Sequence, residues 1–377
     1  MLPATVYMAD MAAGWKKNVS GKISDIFDLL DPGELFRPKD LVAVKLHFGE
    51  VGNTAHIRPQ YVRRIVDRLK DLQTRPFLTD TNSLYVGSRS DAWSHLCTAF
   101  DNGFTREVTG APVIIADGLR GNNQLNVQTQ GRHIKQARIG MDIQQADGLV
   151  VLSHFKGHEV SGFGGAIKNV GMGCASRSGK LEQHSTISPK VKRKKCIGCG
   201  DCLTWCRGEA IEIRGEGPGR KARINPETCI GCAECIPTCR QRAIEIQWNE
   251  SIPSFMEKMV EYAAAVLAGK AGKTLFITFV TDVSPLCDCT PFCDRPIVPD
   301  IGILGSLDPV AIDAAAVDLV NGAPGNILSS LDKALAPGED KFRALFPKVE
   351  WWHQLDYAEQ IGLGTRQYEL VKLEGEV

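Results

Sequence analysis

The chain has 377 residues, of which 43% are hydrophobic and 23% are charged, a composition typical of a folded globular protein and not of a disordered one. Lys plus Arg and Asp plus Glu each number 44, so the charge balance gives no sign of a protein that binds nucleic acid or a membrane surface. The N-terminus has no apolar segment followed by a cleavage site, and no apolar run is long enough to span a bilayer. We therefore expect a cytoplasmic protein with no nucleic-acid or membrane partner.

Predicted strands and helices alternate along much of the chain. Short apolar runs bounded by turn residues, typical of strands buried on both faces, cover residues 41–48, 75–80, 111–117, 147–155, 273–280 and 300–305. An apolar stripe predicts a helix over residues 56–72. A second helix over residues 90–103 is expected to begin at Ser90 and to bury one face, formed by Trp93, Leu96, Cys97 and Phe100. This alternation predicts an α/β fold with a mainly parallel sheet flanked by helices, in which ligands bind beyond the carboxyl ends of the strands.

The richest polar segment after a predicted strand is SHFKGHEVSGFGGAIKNVGMGC, residues 153–174. Its glycines let backbone N–H groups approach an anion, and nearby lysines can neutralise the charge. The candidate anion site consists of Lys45, Gly162, Gly164, Gly165, Lys168 and Asn169. The candidate catalytic residues are His154, Lys156 and His158, with the histidines as proton donors. The alternative is a tight strand-to-helix turn with its lysines in solvent.

An internal repeat contains eight of the thirteen cysteines. The segment CIGCGDCLTWCRGEAIEI, residues 196–213, aligns with CIGCAECIPTCRQRAIEI, residues 229–246, at all four cysteines. Each copy has the spacing C-x2-C-x2-C-x3-C, which is typical of a protein with two [4Fe–4S] clusters in which the fourth cysteine ligates the other cluster. The close spacing of the cysteines indicates metal ligation in a reducing compartment and not a disulfide framework.

The repeat predicts two sets of cluster ligands. Those of the first [4Fe–4S] cluster are Cys196, Cys199, Cys202 and Cys239, and those of the second are Cys229, Cys232, Cys235 and Cys206. Structural zinc is the alternative, but a zinc site usually takes two cysteine pairs separated by a longer loop. Residues 190–248 resemble a bacterial-type two-cluster ferredoxin, from which they depart by having Arg207 and Arg240 where that family usually has proline.

Four further cysteines remain once the repeats and Cys97 are set aside. Cys174 ends the glycine-rich segment, and the other three follow the predicted strand at residues 273–280; parallel strands would bring both groups to one edge of the sheet. A cubane takes four thiolates, so these cysteines are the candidate ligands of a third iron–sulfur cluster: Cys174, Cys287, Cys289 and Cys293. A zinc site, free thiols or a labile disulfide are the alternatives.

Two longer motifs extend beyond the cysteine repeat. They are HFKGHEVSGFGGAIKNVGMGCASRSGK, residues 154–180, and a downstream CDC followed by DIGILGSLDPVAID, within residues 287–313. With these motifs the chain resembles the DUF362 family of iron–sulfur centre proteins, in which a ferredoxin-like segment is inserted into an α/β domain. The resemblance implies an α/β domain in two parts, residues 1–189 and 249–377, around an inserted small α+β ferredoxin-like domain at residues 190–248.

Two classes of function fit these features. In the first, the chain is an oxidoreductase whose insertion relays single electrons between a soluble electron donor or acceptor protein and a substrate or cofactor. The substrate or cofactor would be an anionic small molecule bound by Lys45, Lys156 and Lys168. In the second, the chain is a non-catalytic electron carrier or a cluster-delivery protein. The density of His, Lys and Asp residues at strand ends favours the oxidoreductase. Neither a dinucleotide-binding nor a P-loop fingerprint is present.

Overall fold

The computed structural model describes residues 3–373, which form one large sheet with helices on both faces and several two-stranded ribbons beside it. The strands are β1 (Ala4–Asp10), β2 (Leu41–Lys45), β3 (Arg75–Asp80), β4 (Val113–Ile115), β5 (Gln124–Gln128), β6 (Gln136–Gly140), β7 (Gly148–His154), β8 (Lys156–His158), β9 (Gly162–Gly164), β10 (Lys190–Val191), β11 (Ile211–Arg214), β12 (Lys221–Ile224), β13 (Ile244–Glu245), β14 (Thr274–Val280), β15 (Gly302–Ser306) and β16 (Tyr368–Lys372). The helices are α1 (Val19–Asp28), α2 (Pro32–Leu35), α3 (Pro59–Asp71), α4 (Ala92–Asp101), α5 (Arg106–Thr109), α6 (Met141–Gln145), α7 (Ala166–Gly171), α8 (Arg177–His184), α9 (Asp201–Thr204), α10 (Cys235–Thr238), α11 (Ile252–Ala268), α12 (Pro309–Gly322), α13 (Lys341–Leu345) and α14 (Trp352–Gln360).

The large sheet has the strand order β16-β1-β15-β14-β7-β2-β3-β4. Neighbouring strands are parallel except at the two borders of β15, which is antiparallel to β1 and to β14. The predicted mainly parallel sheet flanked by helices is therefore confirmed. Because β14, β7, β2, β3 and β4 are parallel neighbours, their carboxyl ends lie along one edge of the sheet.

A separate hydrophobic core covers each face of the sheet, and the central strand β7 contributes to both. Leu149 and Val151 pack with α7, α11 and α12 on one face, whereas Val150 and Leu152 pack with α1 and α3 on the other. Successive side chains of a strand point to opposite faces, so a strand covered on both sides needs apolar residues at every position. All seven residues of β7 are buried, and this explains the uninterrupted apolar run at residues 149–152.

The buried face of α4 differs from the prediction. Trp93 is 71% exposed and Phe100 is 46% exposed, and Cys97 is only partly buried. The buried side chains of the helix are His95, Thr98 and Ala99. The helix also begins one residue later than expected, because Asp91 and not Ser90 accepts a hydrogen bond from the N–H of Ser94, at 2.9 Å. Hydrophobic periodicity selects the wrong face because α4 packs against a charged edge of the sheet, where polar side chains are buried.

Residues 190–248 form a small α+β unit. The short strands β10 and β13 pair at its two ends, and β11 and β12 form an antiparallel hairpin within it. Its apolar core includes cysteines of both repeats together with Ile211, Ile236 and Ile244. Leu84 and Leu181 of the surrounding α/β fold belong to the same core, so the unit packs directly against the large sheet's neighbouring loops.

Within residues 3–373, no helix combines the length and the apolar character needed to cross a membrane.

Helix α12 begins with a cap that also fixes the C-terminal part of the chain. Asp308 Oδ1 accepts hydrogen bonds from the N–H groups of Val310 at 2.8 Å and Ala311 at 2.9 Å. Pro309 occupies the first helical turn, where the missing N–H of proline costs the helix no hydrogen bond. The second carboxylate oxygen accepts a hydrogen bond from the N–H of Thr365 at 3.0 Å. One side chain therefore satisfies three backbone donors.

We expect Asp308→Ala to lower the free energy of unfolding by about 2 kcal/mol, the upper end of the range for loss of a helix cap. Asp308→Asn keeps one oxygen acceptor and should lose less than half as much. Chemical denaturation of the two variants beside the wild type measures the difference. Equal losses for alanine and asparagine would contradict a role in capping.

Candidate functional site

The polar residues that follow the parallel strands are buried together at the carboxyl edge of the sheet. Lys45 ends β2, Asp80 ends β3 and His154 ends β7, and their exposed fractions are 1%, 2% and 3%. The loop after β14 carries Cys287 and Asp288, which are also buried. Burial of charged groups is unfavourable unless partners compensate, so the arrangement of partners decides what this edge can do.

Lys45 and Asp80 form the centre of one ion cluster. Lys45 Nζ lies 3.1 Å from Asp80 Oδ1 and donates a hydrogen bond to Asn169 Oδ1 at 2.7 Å. Asp80 Oδ2 lies 3.8 Å from both Arg89 Nη1 and His95 Nε2. Burial by itself would raise the pKa of Asp80, but the charge of Lys45 and its neighbours outweighs burial and holds that pKa well below its ordinary value. Lys45 and Asn169, two residues of the predicted anion site, thus bind protein groups.

The glycine-rich segment is shaped by a carboxylate of the protein itself. Asp313 on α12 accepts hydrogen bonds from the N–H groups of Ala166, at 2.6 Å, and Ile167, at 3.0 Å, at the start of α7. A Cβ atom at Gly165 would lie 2.2 Å from Asp313 Oδ1, so only glycine permits this approach. Burial raises the pKa of Asp313 to about 7, although the two N–H groups act in the opposite direction. An external anion at these N–H groups would have to displace Asp313.

The other two predicted glycines are also explained by close packing. Gly162 has a φ of +77°, and a Cβ atom there would lie 2.3 Å from Cβ of Trp351. A Cβ atom at Gly164 would lie 3.0 Å from Cδ of Lys168. Both positions bring the backbone close to a neighbouring side chain, a task for which glycine is suited.

Two of the predicted polar residues, His154 and Lys156, have partners that fix them in place. Asp288 Oδ1 lies 2.8 Å from His154 Nδ1, and Asp288 Oδ2 lies 3.2 Å from Lys156 Nζ. Lys156 also donates to the carbonyl oxygen of His154, at 2.8 Å. Lys156 is 6% exposed, so the alternative of a turn with its lysines in solvent is wrong for this residue.

His158 is a packed residue rather than an exposed proton donor. Its Nδ1 accepts a hydrogen bond from the N–H of Ser161 at 3.1 Å, and its ring stacks against Phe255. Burial first, and then the positive charge of Lys168, holds the pKa of His158 well below its ordinary value. The ring is therefore neutral at physiological pH.

Cys287 and Cys289 form a pair of neighbouring thiols on a tight turn. The N–H of Thr290 donates to the carbonyl oxygen of Cys287 at 3.0 Å, which closes the turn. Lys168 Nζ lies 3.3 Å from Cys287 Sγ. Contact with the Cys289 thiol lowers the pKa of Cys287, burial opposes this, and the charge of Lys168 adds to the lowering. The same contact raises the pKa of Cys289.

The remaining two cysteines of the predicted third cluster lie in different surroundings. Cys174 is fully buried in the larger hydrophobic core, where burial raises the pKa of its thiol to about 12 and the nearest charges are Lys45 and Asp80. Cys293 is partly exposed and its thiol donates to the carbonyl oxygen of Asp294 at 3.2 Å. A third cluster bound by these residues stays a prediction.

The eight cysteines of the repeats line two small cavities in residues 190–248. The first cysteine cavity is lined by Cys196, Cys199, Cys202 and Cys239. The second cysteine cavity is lined by Cys206, Cys229, Cys232 and Cys235. Each cavity therefore receives three cysteines from one repeat and the fourth from the other. Among residues 3–373 no three His, Cys, Asp or Glu side chains are grouped closely enough to hold a single metal ion.

Backbone N–H groups point at thiol sulfurs around both cavities. Ala222 donates to Cys196 Sγ at 3.3 Å beside the first cavity. The fourth cysteine of each repeat accepts a similar hydrogen bond. The N–H of Ala210 donates to Cys206 Sγ at 3.2 Å, and the N–H of Ala243 donates to Cys239 Sγ at 3.3 Å. These donors stabilise negative charge on sulfur.

A short segment links the cysteine cavities with the thiol pair. Leu84 and Val86 pack into the core of residues 190–248. Tyr85, between them, donates a hydrogen bond from its hydroxyl to the carbonyl oxygen of Cys289 at 3.3 Å and accepts one from Arg89 at 2.7 Å. Sequence analysis misses Tyr85, Arg89 and Asp288, because none stands directly at a predicted strand end or in a metal-binding spacing. Of the three, only Asp288 had a signal in the sequence, which is its place between the two cysteines of CDC.

Comparison with known proteins gives one family and two distant structures. The model of a family described as a domain of unknown function (DUF362) matches residues 42–318. No curated protein matches the chain. The chain is similar to the lactate racemase apoprotein from Thermoanaerobacterium thermosaccharolyticum, with 13% identity and a TM-score of 0.38 over 73% of this chain and 51% of that one. It is also similar to a structural genomics target from Thermotoga maritima, with 10% identity and a TM-score of 0.38 over 71% of this chain and 52% of that one. The chain spans about half the length of each.

We expect His95→Phe to make the free energy of unfolding fall less steeply as the pH is lowered. Burial lowers the pKa of His95 to about 3, whereas an unfolded histidine has a pKa of about 6.5. The unfolded chain therefore takes up a proton that the folded chain refuses, and stability is lost as the pH falls below the unfolded value. From about pH 7 to about pH 5 the wild type should lose about 2 kcal/mol more than the variant. Parallel denaturation curves at both pH values test this, and equal losses would disprove it.

We expect Lys156→Met to lower the free energy of unfolding by about 3 kcal/mol, because it leaves the buried carboxylate of Asp288 with one partner fewer. Lys190→Met, on the surface, is the control and should change stability by about 0.5 kcal/mol or less. The double variant Lys156→Met/Asp288→Asn should recover part of the loss. If Lys156→Met behaves like the control, the ion pair makes no contribution.

Proposed function

We propose that this chain, which belongs to the DUF362 family, is an iron–sulfur redox protein. In this proposal residues 190–248 hold two [4Fe–4S] clusters and relay single electrons to a substrate or cofactor at the carboxyl edge of the large sheet. The observation that carries the proposal is the pair of cysteine cavities, each lined by four thiols with three from one repeat and one from the other.

The surroundings of the thiols suit iron–sulfur clusters. Gly198 and Gly231 hold equivalent places in the two repeats and have φ values of +68° and +69°. This left-handed conformation turns both CIGC loops around their cavities in the same way. A zinc ion would draw four thiolates to one point, whereas here the thiols surround a space. When bound, each [4Fe–4S] cluster would accept and release one electron at a time.

The two cavities differ in where they lie. Cys199 of the first cavity is exposed, and the basic segment KVKRKK at residues 190–195 precedes the first repeat. The second cavity lies beside the α/β fold, because Arg120 packs over the ring of Trp205, which lines this cavity, and Asn122 bonds to the buried Glu234. We infer that a soluble donor protein with an acidic surface delivers electrons at the first cavity, and that electrons leave from the second.

The buried charges at the sheet edge favour an enzyme over a simple carrier. A carrier needs clusters and a docking surface, but it needs no thiol pair beside Lys168 and no buried Asp80 and Asp288. The place of these groups at the carboxyl edge of parallel strands, where α/β enzymes bind ligands, supports an oxidoreductase with an anionic small-molecule substrate as the first candidate.

The test of cluster binding uses the exchange of the fourth cysteine. In anaerobically prepared protein, Cys206→Ser should weaken the cluster of the second repeat and Cys239→Ser that of the first, each leaving the other cluster intact. Electron paramagnetic resonance and counts of iron and sulfide follow the two clusters. Cys97→Ser, on α4, is the control and should keep both.

Two outcomes would contradict the proposal. If each serine variant lost the cluster of its own repeat, the exchange would be wrong. If the wild type bound zinc and contained no acid-labile sulfide, the redox function would fall with it.

A further inference from the structure

The turn that carries Cys287 and Cys289 is held rigidly, with its two thiols on one side. The carbonyl oxygen of Asp288 accepts a hydrogen bond from the N–H of Glu50 at 3.0 Å. The Asp288 side chain points to His154 and Lys156, so the side chain between the cysteines is anchored in the fold. Cys287 and Cys289 are two residues apart on this turn, and Lys168 Nζ lies 3.3 Å from Cys287 Sγ.

The surroundings of this pair differ from those of the cysteine cavities. Around each cavity the structure gathers four thiols. At the turn it gathers two, because Cys174 is buried in the main core and Cys293 bonds to Asp294. Two adjacent thiols next to a lysine match the needs of thiol–disulfide exchange, which requires a thiolate and a second thiol within reach.

On the premise of the electron relay proposed above, we propose that Cys287 and Cys289 are a redox-active dithiol that reduces a disulfide substrate and is reduced in turn by electrons from residues 190–248. This assigns the substrate class as a disulfide. It also gives the third group of cysteines a role that requires no third cluster.

The positions of the two sulfurs assign their roles. Cys289 is partly exposed, so it is the sulfur that a substrate can reach, whereas Cys287 is 6% exposed. Cys289 Sγ attacks one substrate sulfur, loses its proton, forms a mixed disulfide and releases the first substrate thiolate. Cys287 Sγ, held beside Lys168 at 3.3 Å, then attacks Cys289 Sγ, loses its proton, forms the internal disulfide and releases the second substrate thiolate. The two protons lost by the cysteines go to the two released thiolates.

Regeneration of the dithiol needs two electrons and two protons. If both clusters are bound, they would supply the two electrons, one from each, and cleavage of the internal disulfide would leave both sulfurs protonated. The segment at residues 84–86 lies between donor and acceptor, since Leu84 and Val86 contact the core that contains the cysteine cavities while Tyr85 bonds to Cys289. Lys168 and Tyr85 are positioning residues in this scheme.

The first experiment traps the mixed disulfide. Cluster-loaded protein with its thiols reduced and its clusters oxidised is mixed anaerobically with oxidised glutathione, and the products are analysed by intact mass and peptide mapping. The wild type and the control Cys97→Ser should form the Cys287–Cys289 disulfide and release two molecules of glutathione. Cys287→Ser cannot complete the second step and should accumulate glutathione on Cys289. Absence of that adduct, or an adduct on Cys287 in Cys289→Ser at the wild-type rate, would overturn the assignment.

A second measurement distinguishes the dithiol from a cluster. Iron is counted in the wild type and in the double variant Cys287→Ser/Cys289→Ser. An unchanged iron content supports the dithiol. A loss of about four irons per chain, the content of one cubane, would show that these cysteines hold a third cluster and would overturn the inference.

A third measurement separates failure of the dithiol from failure of the relay. Protein with an oxidised Cys287–Cys289 pair is reduced through its clusters with photoreduced deazaflavin, and new thiols are counted. The wild type should regain both thiols, and Cys206→Ser should regain them at least ~10-fold more slowly, because its second cluster is damaged. Both proteins should respond equally to dithiothreitol. If dithiothreitol restores the thiols and the clusters never do, the electron relay is wrong. The glutathione experiment tests the dithiol independently of that result.

Discussion

The carboxyl edge of the sheet depends on one constraint, which is that buried charges must neutralise one another. Lys45, Asp80 and Arg89 do so at the ends of β2 and β3. Asp288 does so with Lys156 near the ends of β7 and β14, where His154 is a second hydrogen-bond partner of Asp288. Parallel strands bring these groups together because they all end on the same side. Removing one partner leaves a charge without compensation in a region that water does not reach. The positions of the loops after β2, β3, β7 and β14 are therefore coupled through these ion pairs.

Asp313 extends the same principle to the glycine-rich segment. Its carboxylate takes the position at the start of α7 that the sequence pattern offers to an anionic ligand. The protein thus satisfies those N–H groups from α12, which packs directly against α7. A site that resembles a phosphate loop in sequence can in this way be a packing device, since the same glycines serve both purposes.

Features that depend on local pattern could be predicted from the sequence, and features that depend on distant partners could not. Uninterrupted apolar runs such as that of β7 predict the buried parallel sheet because both of its faces are covered. The edge strand β16 carries mostly exposed residues and has no such apolar run. The reversed direction of β15 cannot be predicted from its apolar sequence, because a strand buried on both faces has the same pattern in either direction. His95 and Thr98 are buried because a charged edge lies opposite them, which hydrophobic periodicity cannot detect. For the same reason the partner of Gly165, far along the chain at Asp313, was not predictable.

The reversed direction of β15 has a consequence for how this fold can vary. Between parallel strands the chain must cross the sheet, and the connection has to pack as part of the fold. Between β14 and β15 it only has to leave and return at the same edge, where the N–H of Ile301 bonds to the carbonyl oxygen of Val280 at 2.9 Å. Residues 281–301, which carry the thiol pair, are thus a closed excursion from one point of the sheet. Such an excursion can change its length and its reactive residues while the strands on either side keep their register, so the reactive chemistry can diverge on an unchanged framework.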